Sequence, residues 1–267
     1  MTVYADVFRY RELFANLFRR DVQAKYRGSA LGVLWTLANP VLLMGVYLLV
    51  FSVVWDARFA DVDRYPLFLL VGLAAWIFLS TSLQAAARSM LDNANLIRKT
   101  RFPRQLVPLS VVAAHLVSFA VMLVVLLALC FAVLPRVRAT EWLALPLGAL
   151  FVALVGGLAL AVACLNVVFR DVEHLVAALL LPWFFLTPVL YPLSDLPGTV
   201  ERHRTAVQLL HWGNFVSPPL QALRDPLFYG RLPRLADVLY LVAAAAVALA
   251  LGALVFSRVD DQLAVEL

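Results

Sequence analysis

The sequence predicts an all-helical integral membrane protein, and two observations support this fold class. First, 63% of the 267 residues are hydrophobic and only 15% are charged, whereas a soluble domain carries about 25% charged residues. Second, the apolar residues form long blocks without Asp, Glu, Lys or Arg, which is typical of membrane-spanning helices. The net charge of +5 therefore concerns membrane topology and anionic lipid first, and no nucleic-acid partner is predicted.

The N-terminal segment 1–30 is not predicted to be a signal peptide, because no apolar core follows the start. It predicts instead an amphipathic helix at the membrane interface. Its apolar residues recur with helical spacing, and arginines fill the other face. The apolar positions are Tyr10, Leu13, Phe14, Leu17 and Phe18. A helix of this kind lies among lipid headgroups, and packing against a partner protein is the alternative.

Six uncharged runs follow, and each is long enough to cross the hydrocarbon core, which takes about 20 helical residues. The runs are 28–55, 65–87, 105–135, 142–169, 174–194 and 238–257. We therefore predict one transmembrane domain over 1–267. Its predicted parts are spans one to five in 31–194, an extracytoplasmic segment 195–237, span six at 238–257 and a tail at 258–267.

The distribution of Lys and Arg predicts the orientation. With the N-terminus inside, the inner segments hold thirteen of these residues and the two short outer loops hold four. This favours both termini in the cytoplasm. The long outer segment 195–237 carries five arginines, but long translocated segments contribute little to the rule.

The outer segment 195–237 has too many apolar residues for a solvated loop and too many charges for a span. Ser217-Pro218-Pro219 divides it. We predict two short re-entrant helices there, because non-helical backbone at that depth needs cover from protein. A loose loop with one surface helix is the alternative.

A short basic segment, 92–104, separates the second and third runs. It predicts a cytoplasmic loop that receives force from a partner protein. Ordinary positive-inside charge would explain its basic residues but not Phe102, Asn93 or Asn95. The basic residues of the segment are Arg98, Lys99, Arg101 and Arg104.

The chemistry missing from the sequence favours transport over catalysis. No phosphate-binding loop of the Gly-x-x-x-x-Gly-Lys-Ser/Thr type is present, and the six runs contain no carboxylate. His115 and His174 lie far apart and form no metal-ligand pattern. We therefore predict no catalytic residue, no metal and no cofactor on this chain, and a transport path powered by another protein.

The order of these elements and several motifs resemble one family over nearly the whole chain. The motifs are Arg20 to Gly32 with Trp35 and Asn39-Pro40, Tyr65-Pro66 with Gly72 and Trp76, Asn93 to Arg104 before Pro108, Phe169-Arg170-Asp171-Val172, Thr187-Pro188-Val189 with Tyr191-Pro192, and Asn214 through Pro218 to Arg224. The chain resembles the membrane subunit of ABC exporters for cell-surface polysaccharides such as O-antigen, capsule, teichoic acid and galactan. Ser217-Pro218-Pro219 departs from the Asn-Pro expected of that family at the outer gate.

The resemblance implies a bacterial inner-membrane exporter of lipid-linked glycan, built from two copies of this chain and two copies of a separate Mg-ATP-hydrolysing subunit. A single chain without internal duplication is consistent with a second copy enclosing the pathway. Alternatives are an ABC permease for a drug or a lipid and, more distantly, a membrane glycosyltransferase or acyltransferase.

The candidate site residues fall into four sets. The ATPase-coupling set is Asn93, Asn95, Arg98, Lys99, Arg101, Phe102, Pro103, Arg104, Arg170 and Asp171. The glycan-path set, chosen because aromatic faces suit sugar rings, is Trp35, Trp76, Phe78, Trp183, Phe184, Phe185 and Tyr191. The lipid-pyrophosphate set is Arg19, Arg20, Lys25 and Arg27, and the outer-gate set is Trp212, Asn214, Phe215, Pro218 and Arg224.

Three of these sets have a simpler explanation in whole or in part. Arg170-Asp171 is also consistent with an ordinary pair at a helix end. Any one aromatic ring is equally typical of lipid-facing packing. The N-terminal arginines suit attachment to anionic lipid.

Overall fold

The chain is helical throughout the residues that the computed structural model describes, which are 3–26, 28, 32–50, 64–99, 102–137, 139–192 and 204–266. These ranges contain no β-strand, so the predicted all-helical class is confirmed there. The helices are α1 (Ala5–Arg9), α2 (Arg11–Tyr26), α3 (Trp35–Leu48), α4 (Tyr65–Asp92), α5 (Ala94–Lys99), α6 (Leu106–Val133), α7 (Ala144–Val168), α8 (Val172–Leu186), α9 (Arg204–Trp212), α10 (Ser217–Arg224) and α11 (Leu235–Glu266).

Within the described ranges four helices are long and apolar enough to cross a membrane, namely α4, α6, α7 and α11. They coincide with four of the six predicted runs. The other two runs hold α3 and α8, with 14 and 15 residues. At 1.5 Å per residue these extend about 21–23 Å, less than the ~30 Å hydrocarbon core. The protein is therefore a multi-pass membrane protein, and helix length alone does not establish the count of six spans.

Helix α4 occupies the centre of the bundle and packs against α3, α6, α7 and α8. In its most apolar stretch 83% of the residues are buried, against 22% for α6 and for α11. The latter two helices thus present most of their apolar surface outward, as helices in contact with lipid do.

Two apolar clusters define the ends of the bundle. At one end Met90 of α4, Leu106 of α6 and Phe256 of α11 pack together. At the other end Phe68 of α4 packs with residues from the end of α6, including Cys130. The first end also holds the basic segment, so we call it the inner end, and we call the opposite end the outer end.

Helices α7 and α11 make the most extensive helix pair, and glycine allows their backbones to meet. A Cβ atom on Gly252 would lie 2.5 Å from the carbonyl oxygen of Gly157. Small residues at such crossings are typical of membrane helix pairs. The hydroxyl of Tyr4 adds a hydrogen bond of 2.8 Å to the carbonyl oxygen of Leu249, which ties the N-terminal segment to the last helix.

The predicted amphipathic helix corresponds to α2, and it runs along α6. Ser110 Oγ donates to Asp21 at 2.7 Å, and Lys25 Nζ lies 2.6 Å from Ser118 Oγ. The spacing of the apolar residues predicted this helix but not its packing against α6. Such spacing shows which face of a helix is apolar and not what covers that face.

Two short helices, α9 and α10, precede the last long helix, within the segment predicted to be re-entrant. Pro218 and Pro219 begin α10, where a proline loses no helical hydrogen bond. Residues 195–203 of that segment lie outside the described part of the chain, and the depth of α9 and α10 in a bilayer stays a prediction.

Candidate functional site

The basic segment at the inner end contains a one-and-a-half-turn helix, α5, whose apolar side faces the bundle. Ile97 is buried and Phe102 is half-buried, and both pack on the inner apolar cluster. Asn95 and Arg98 are exposed. Phe102 thus helps to seat the loop on its own bundle, while polar side chains point outward.

Hydrogen bonds fix both ends of this segment. Asn93 Nδ2 donates to the carbonyl oxygen of Ser89 at 2.8 Å, which satisfies one of the last carbonyls of α4. After the loop, Gln105 Nε2 donates to Asp6 at 2.6 Å. Pro103 and Arg104 are partly exposed between them. The side chain of Lys99 and the whole of Arg101 lie outside the described part.

Arg170 and Asp171 lie at the same inner end, exposed at the turn between α7 and α8. The turn is held by Asn166, a fully buried amide that the sequence analysis did not single out. Asn166 Nδ2 donates to the carbonyl oxygen of Ala87, and its Oδ1 accepts from the backbone N–H of Glu173, both at 2.8 Å. A lone amide inside an apolar run was the signal that could have found it.

The predicted glycan-path aromatics do not form one surface. Trp76 is buried and meets Trp183 edge-on, with ring centroids 5.7 Å apart, and Phe184 at 5.5 Å. A groove of about 280 Å³ beside them is lined by Tyr47, Trp76 and Phe184, among others. These rings line the side of α4 and α8 that faces α3.

The other predicted path residues lie elsewhere. Phe78 stacks on Phe119 with centroids 4.8 Å apart and is part of the buried core. Trp35 and Phe185 are about half exposed. Tyr191, just beyond α8, donates its hydroxyl proton to the carbonyl oxygen of Phe185.

At the outer end Asn214 connects α8 with the start of α10. Its Oδ1 accepts from Trp183 Nε1 at 2.9 Å and from the backbone N–H of Val216 at 3.1 Å. Its Nδ2 donates to Thr187 Oγ1 at 2.9 Å. One amide side chain thus joins the end of α8 to the start of α10, with its donor and acceptor both used.

Changing Asn214 to Asp should loosen this junction, because a carboxylate keeps both acceptor bonds but loses the donor to Thr187. Since Trp183 keeps its partner oxygen, its fluorescence should change less in Asn214→Asp than in Asn214→Leu, which removes every bond. Thermal unfolding should rank wild type above Asn214→Asp and Asn214→Asp above Asn214→Leu. Equal midpoints for the two variants would contradict the assigned bonds.

Arg224 is the largest fully buried side chain of the described chain, with 1% of its surface exposed. Its guanidinium donates to the carbonyl oxygens of Pro188 and Val189 and lies over the ring of Phe68, 3.8 Å from the centroid. Gly72 of α4 leaves room for it, because a Cβ there would collide with the guanidinium. The backbone freed where α8 ends at Leu186 is thus satisfied by a buried cation.

The remaining outer-gate residues lie at the end of α9, at the start of α10 and in the turn between these helices. Phe215 packs on Trp183 with ring centroids 4.7 Å apart, and Pro218 is buried at the start of α10. Trp212 is exposed, and its ring lies tilted against that of Tyr240 of α11, with centroids 5.9 Å apart. Asn214 and Phe215 thus contact α8, and Trp212 contacts α11. Pro218 and Arg224 belong to α10 itself.

Of the predicted lipid-pyrophosphate set, Arg19 and Arg20 are exposed on α2. Arg20 makes an ion pair of 2.9 Å with Asp21. Lys25 is exposed as well, and partial burial of its ammonium group lowers the pKa of that group. Arg27 lies outside the described part.

Among the described residues, no group of three His, Cys, Asp or Glu side chains could hold a metal ion.

The inner and outer ends of the bundle differ in the exposure of their polar side chains. The inner end presents exposed polar and basic side chains on a short helix, and the outer end buries its polar contacts between helices.

Comparisons with known proteins agree with these features. The family described as ABC-2 type transporter matches residues 12–228. An O-antigen export system permease protein, RfbA, from Myxococcus xanthus is 37% identical over 259 residues, covering 92% of this chain and 90% of that protein. A protein of the same name from Klebsiella pneumoniae is 31% identical over 188 residues, covering 70% and 71%. The resemblance seen in the motifs is confirmed, and the chain belongs to the ABC-2 type transporter family.

Proposed function

We propose that this chain is the permease subunit of an ATP-driven exporter that moves lipid-linked polysaccharide across a bacterial cytoplasmic membrane. The observation that supports it best is the 37% identity, over 92% of the chain, to a protein named as an O-antigen export permease. That name favours O-antigen over capsule, teichoic acid or galactan as the cargo. ATP and its magnesium ion bind to a separate ATPase subunit.

The proposed assembly contains two copies of this chain and two copies of the ATPase, with both termini of each permease in the cytoplasm. Helices α3 and α8 carry apolar side chains that the isolated chain leaves exposed, such as Leu42, Val46 and Phe185. A second copy or lipid would cover these faces. In this arrangement α3 and α8 complete the membrane crossing, which gives six spans.

The inner end is the proposed contact with the ATPase. The exposed side chains of α5 and the exposed pair Arg170-Asp171 lie at the same end of the bundle. Basic side chains at such a rim suit an acidic cleft. Because Phe102 packs on the inner cluster, movement of the loop would be transmitted directly to α4 and α6.

The proposed glycan path runs along the aromatic groove between α3, α4 and α8. Trp76 and Phe184 line it, and the indole of Trp183 lies against Trp76. Aromatic faces hold sugar rings weakly, and weak multi-site binding allows passage. The basic residues of α2 are the proposed contacts for the lipid pyrophosphate, and the Asn214 and Arg224 contacts form the proposed outer gate.

Co-expression with a candidate ABC ATPase from the same genome tests the proposal. The two proteins should purify together, and reconstituted vesicles should hydrolyse ATP faster when a lipid-linked O-antigen is present. Stimulation by a drug or a plain phospholipid instead would favour the alternative cargo. Reaction of the permease alone with a lipid-linked sugar, without ATP, would contradict a transport role.

The inner-end contact is tested in the same vesicles with Phe102→Ala and Arg104→Glu. Both variants should assemble with the ATPase and hydrolyse ATP at the unstimulated rate, while glycan export is lost. Arg258→Glu is the matched control, since Arg258 is an exposed arginine near the end of α11 outside the loop, and it should export normally. Normal export by both loop variants would contradict the coupling role.

A further inference from the structure

The groove of about 280 Å³ between α3, α4 and α8 has two kinds of lining on its α4 side. The aromatic part contains Trp76, which belongs to the proposed glycan path. The polar part contains Ser80 and Gln84, which lie one and two turns of α4 nearer the inner end. Because residues four positions apart lie on the same side of a helix, these three residues form a stripe along the groove.

Gln84 differs from the rest of the central helix in its exposure. All residues of α4 from Phe68 to Ala87 are described, and Gln84 is the only exposed one among them. It lies eight residues before Asp92, where α4 ends, which is about 12 Å along the helix axis. A polar side chain at such depth in a membrane helix typically faces a cavity or a substrate path.

The hydrogen-bonding groups of this stripe can take further partners. Within the part of the chain that the structure describes, the amide of Gln84 has no hydrogen-bond partner. It offers two N–H donors and one carbonyl acceptor. Ser80 Oγ donates its proton to the carbonyl oxygen of Ile77 at 3.3 Å, and its oxygen can still accept. The stripe can therefore both donate and accept, as the binding of hydroxyl groups requires.

The charge of the lining favours a neutral ligand in this groove. Among the described residues that line it, none is charged. The ion pair between Arg88 and Glu173, at 3.6 Å, lies one turn further toward the inner end, and its two charges have opposite sign. Aromatic faces together with a few neutral polar groups suit a sugar ring, which has an apolar face and hydroxyl groups at its edge. An anionic headgroup in the groove would leave its charge unbalanced.

Contact with a second copy of the chain is the other explanation for an exposed membrane amide, because such amides form hydrogen bonds between helices. The arrangement of the groove disfavours it. The central helix α4 forms the floor, and α3 and α8 form the two walls. A helix of a second copy would meet the exposed side chains of these walls, such as Val46 and Leu181, before it reached Gln84.

We propose that Ser80 and Gln84 are specificity-determining contacts of the permease, and that they bind hydroxyl groups of the transported glycan. The rings of Trp76 and Phe184 contact the apolar faces of the sugars, while the amide and the hydroxyl bind their edges. A glycan that enters from the inner end meets Gln84 before it meets Trp76. The inference rests on the proposed function, because its ligand is the glycan of that transport reaction.

The test measures binding to the full chain in lipid nanodiscs, without ATP and without the ATPase. The probes are O-antigen polysaccharide released from its lipid, taken from the bacterium that carries this chain, the same polysaccharide with its hydroxyl groups methylated, and polyprenyl phosphate without sugar. Tryptophan fluorescence reports binding, because Trp76 lines the groove and Trp183 lies against it. The released polysaccharide should bind at least about tenfold more tightly than the methylated form, since several neutral hydrogen bonds are lost on methylation.

The groove variants should weaken binding of the released polysaccharide. Gln84→Leu should lower the affinity about tenfold, the effect of one or two neutral hydrogen bonds, and Gln84→Asn should restore part of it. Ser80→Ala should lower the affinity about fivefold. Binding of the methylated polysaccharide should be the same in all three variants as in the wild type.

Two matched controls remove the same chemical groups elsewhere. Thr81→Val removes the hydroxyl next to Ser80, which bonds to the carbonyl oxygen of Ile77 and lines a separate cavity beside α6. Gln23→Leu removes an exposed amide from α2. Both should bind the released polysaccharide with wild-type affinity.

Wild-type affinity in both Gln84→Leu and Ser80→Ala would overturn the inference, and so would equal binding of the methylated polysaccharide or displacement by polyprenyl phosphate. Native mass spectrometry measures the dimer fraction in the same samples. A Gln84→Leu variant that dimerises less but binds the polysaccharide normally would show that the amide joins two copies, which also overturns the inference.

The failure of this inference is distinguishable from failure of the proposed function. If the wild type binds the polysaccharide and the groove variants bind it equally well, only the roles of Ser80 and Gln84 are wrong. If the wild type does not bind it, the inference is overturned, and ATP hydrolysis by the wild-type complex in vesicles shows whether the proposed function fails with it.

Discussion

Replacing Gly157 with alanine should lower the thermal stability of the protein and reduce the amount of folded protein in the membrane. A Cβ at Gly157 would lie 2.5 Å from the carbonyl oxygen of Ala248 and from the backbone nitrogen of Leu249. The obstruction is backbone rather than a flexible side chain, so α7 and α11 must move apart along their whole contact. Overpacking of this kind costs about 1–3 kcal/mol and sometimes more.

The neighbouring residue provides the matched control. A Cβ at Gly156 would meet nothing within 4 Å, and alanine is favoured over glycine in a helix by up to about 1 kcal/mol. Gly156→Ala should therefore unfold at the wild-type temperature or slightly above it, while Gly157→Ala unfolds well below. Tryptophan fluorescence during heating in detergent measures both. Coincident unfolding curves for the two variants would contradict the close approach of α7 and α11.

Replacing Arg224 with methionine should have an effect of similar or greater size, and it should act at the outer end. The substitution leaves the carbonyl oxygens of Pro188 and Val189 buried without their donor. Each buried acceptor without a partner costs about 1–3 kcal/mol, or about 2–6 kcal/mol for the two. Loss of the contact with the ring of Phe68 adds to this.

Arg224→Lys should be intermediate, because an ammonium group keeps the charge but cannot donate from a planar fork to two adjacent carbonyls. Gly72→Ala should imitate the loss of Arg224, since the added methyl group occupies the place of the guanidinium. Gly148→Ala is the control, because the nearest atom to its Cβ is a leucine methyl 3.8 Å away. Stability of Gly72→Ala equal to that of Gly148→Ala would show that Arg224 is not held against α4.

The sequence predicted those parts of the fold that depend only on which residues the bilayer tolerates. Uncharged runs predicted α4, α6, α7 and α11 because a bilayer excludes charge over the whole length of a helix. The same rule gave no length for α3 and α8, since an uncharged run shows which residues tolerate lipid and not where the helix ends. The N-terminal helix was predicted from periodicity, whereas its course along α6 depends on pairs such as Asp21 with Ser110.

For the site residues, the sequence predicted some identities but not the contacts that these residues make. The family motifs indicated Asn214 and Arg224, but not that the amide joins the end of α8 to the start of α10 or that the arginine is buried against backbone carbonyls. Charge in a sequence predicts exposure, and only the ending of α8 beside α4 makes a buried arginine favourable. Asn166 was not predicted, because a single polar residue in an apolar run does not show which groups it will bond to.

The hydrogen bond from Tyr4 to Leu249 has a consequence for how the protein is made. It joins residues 245 positions apart, so Tyr4 cannot make this bond until the last helix has been inserted, whereas Asp6 can bond to Gln105 earlier. Burial, and to a lesser degree the nearby Cys164, raises the pKa of the Tyr4 hydroxyl to about 12, which keeps it a proton donor at any cellular pH. The N-terminal segment can therefore pack on α6 first, and its bond to α11 forms only after the part of α11 that carries Leu249 has been synthesised.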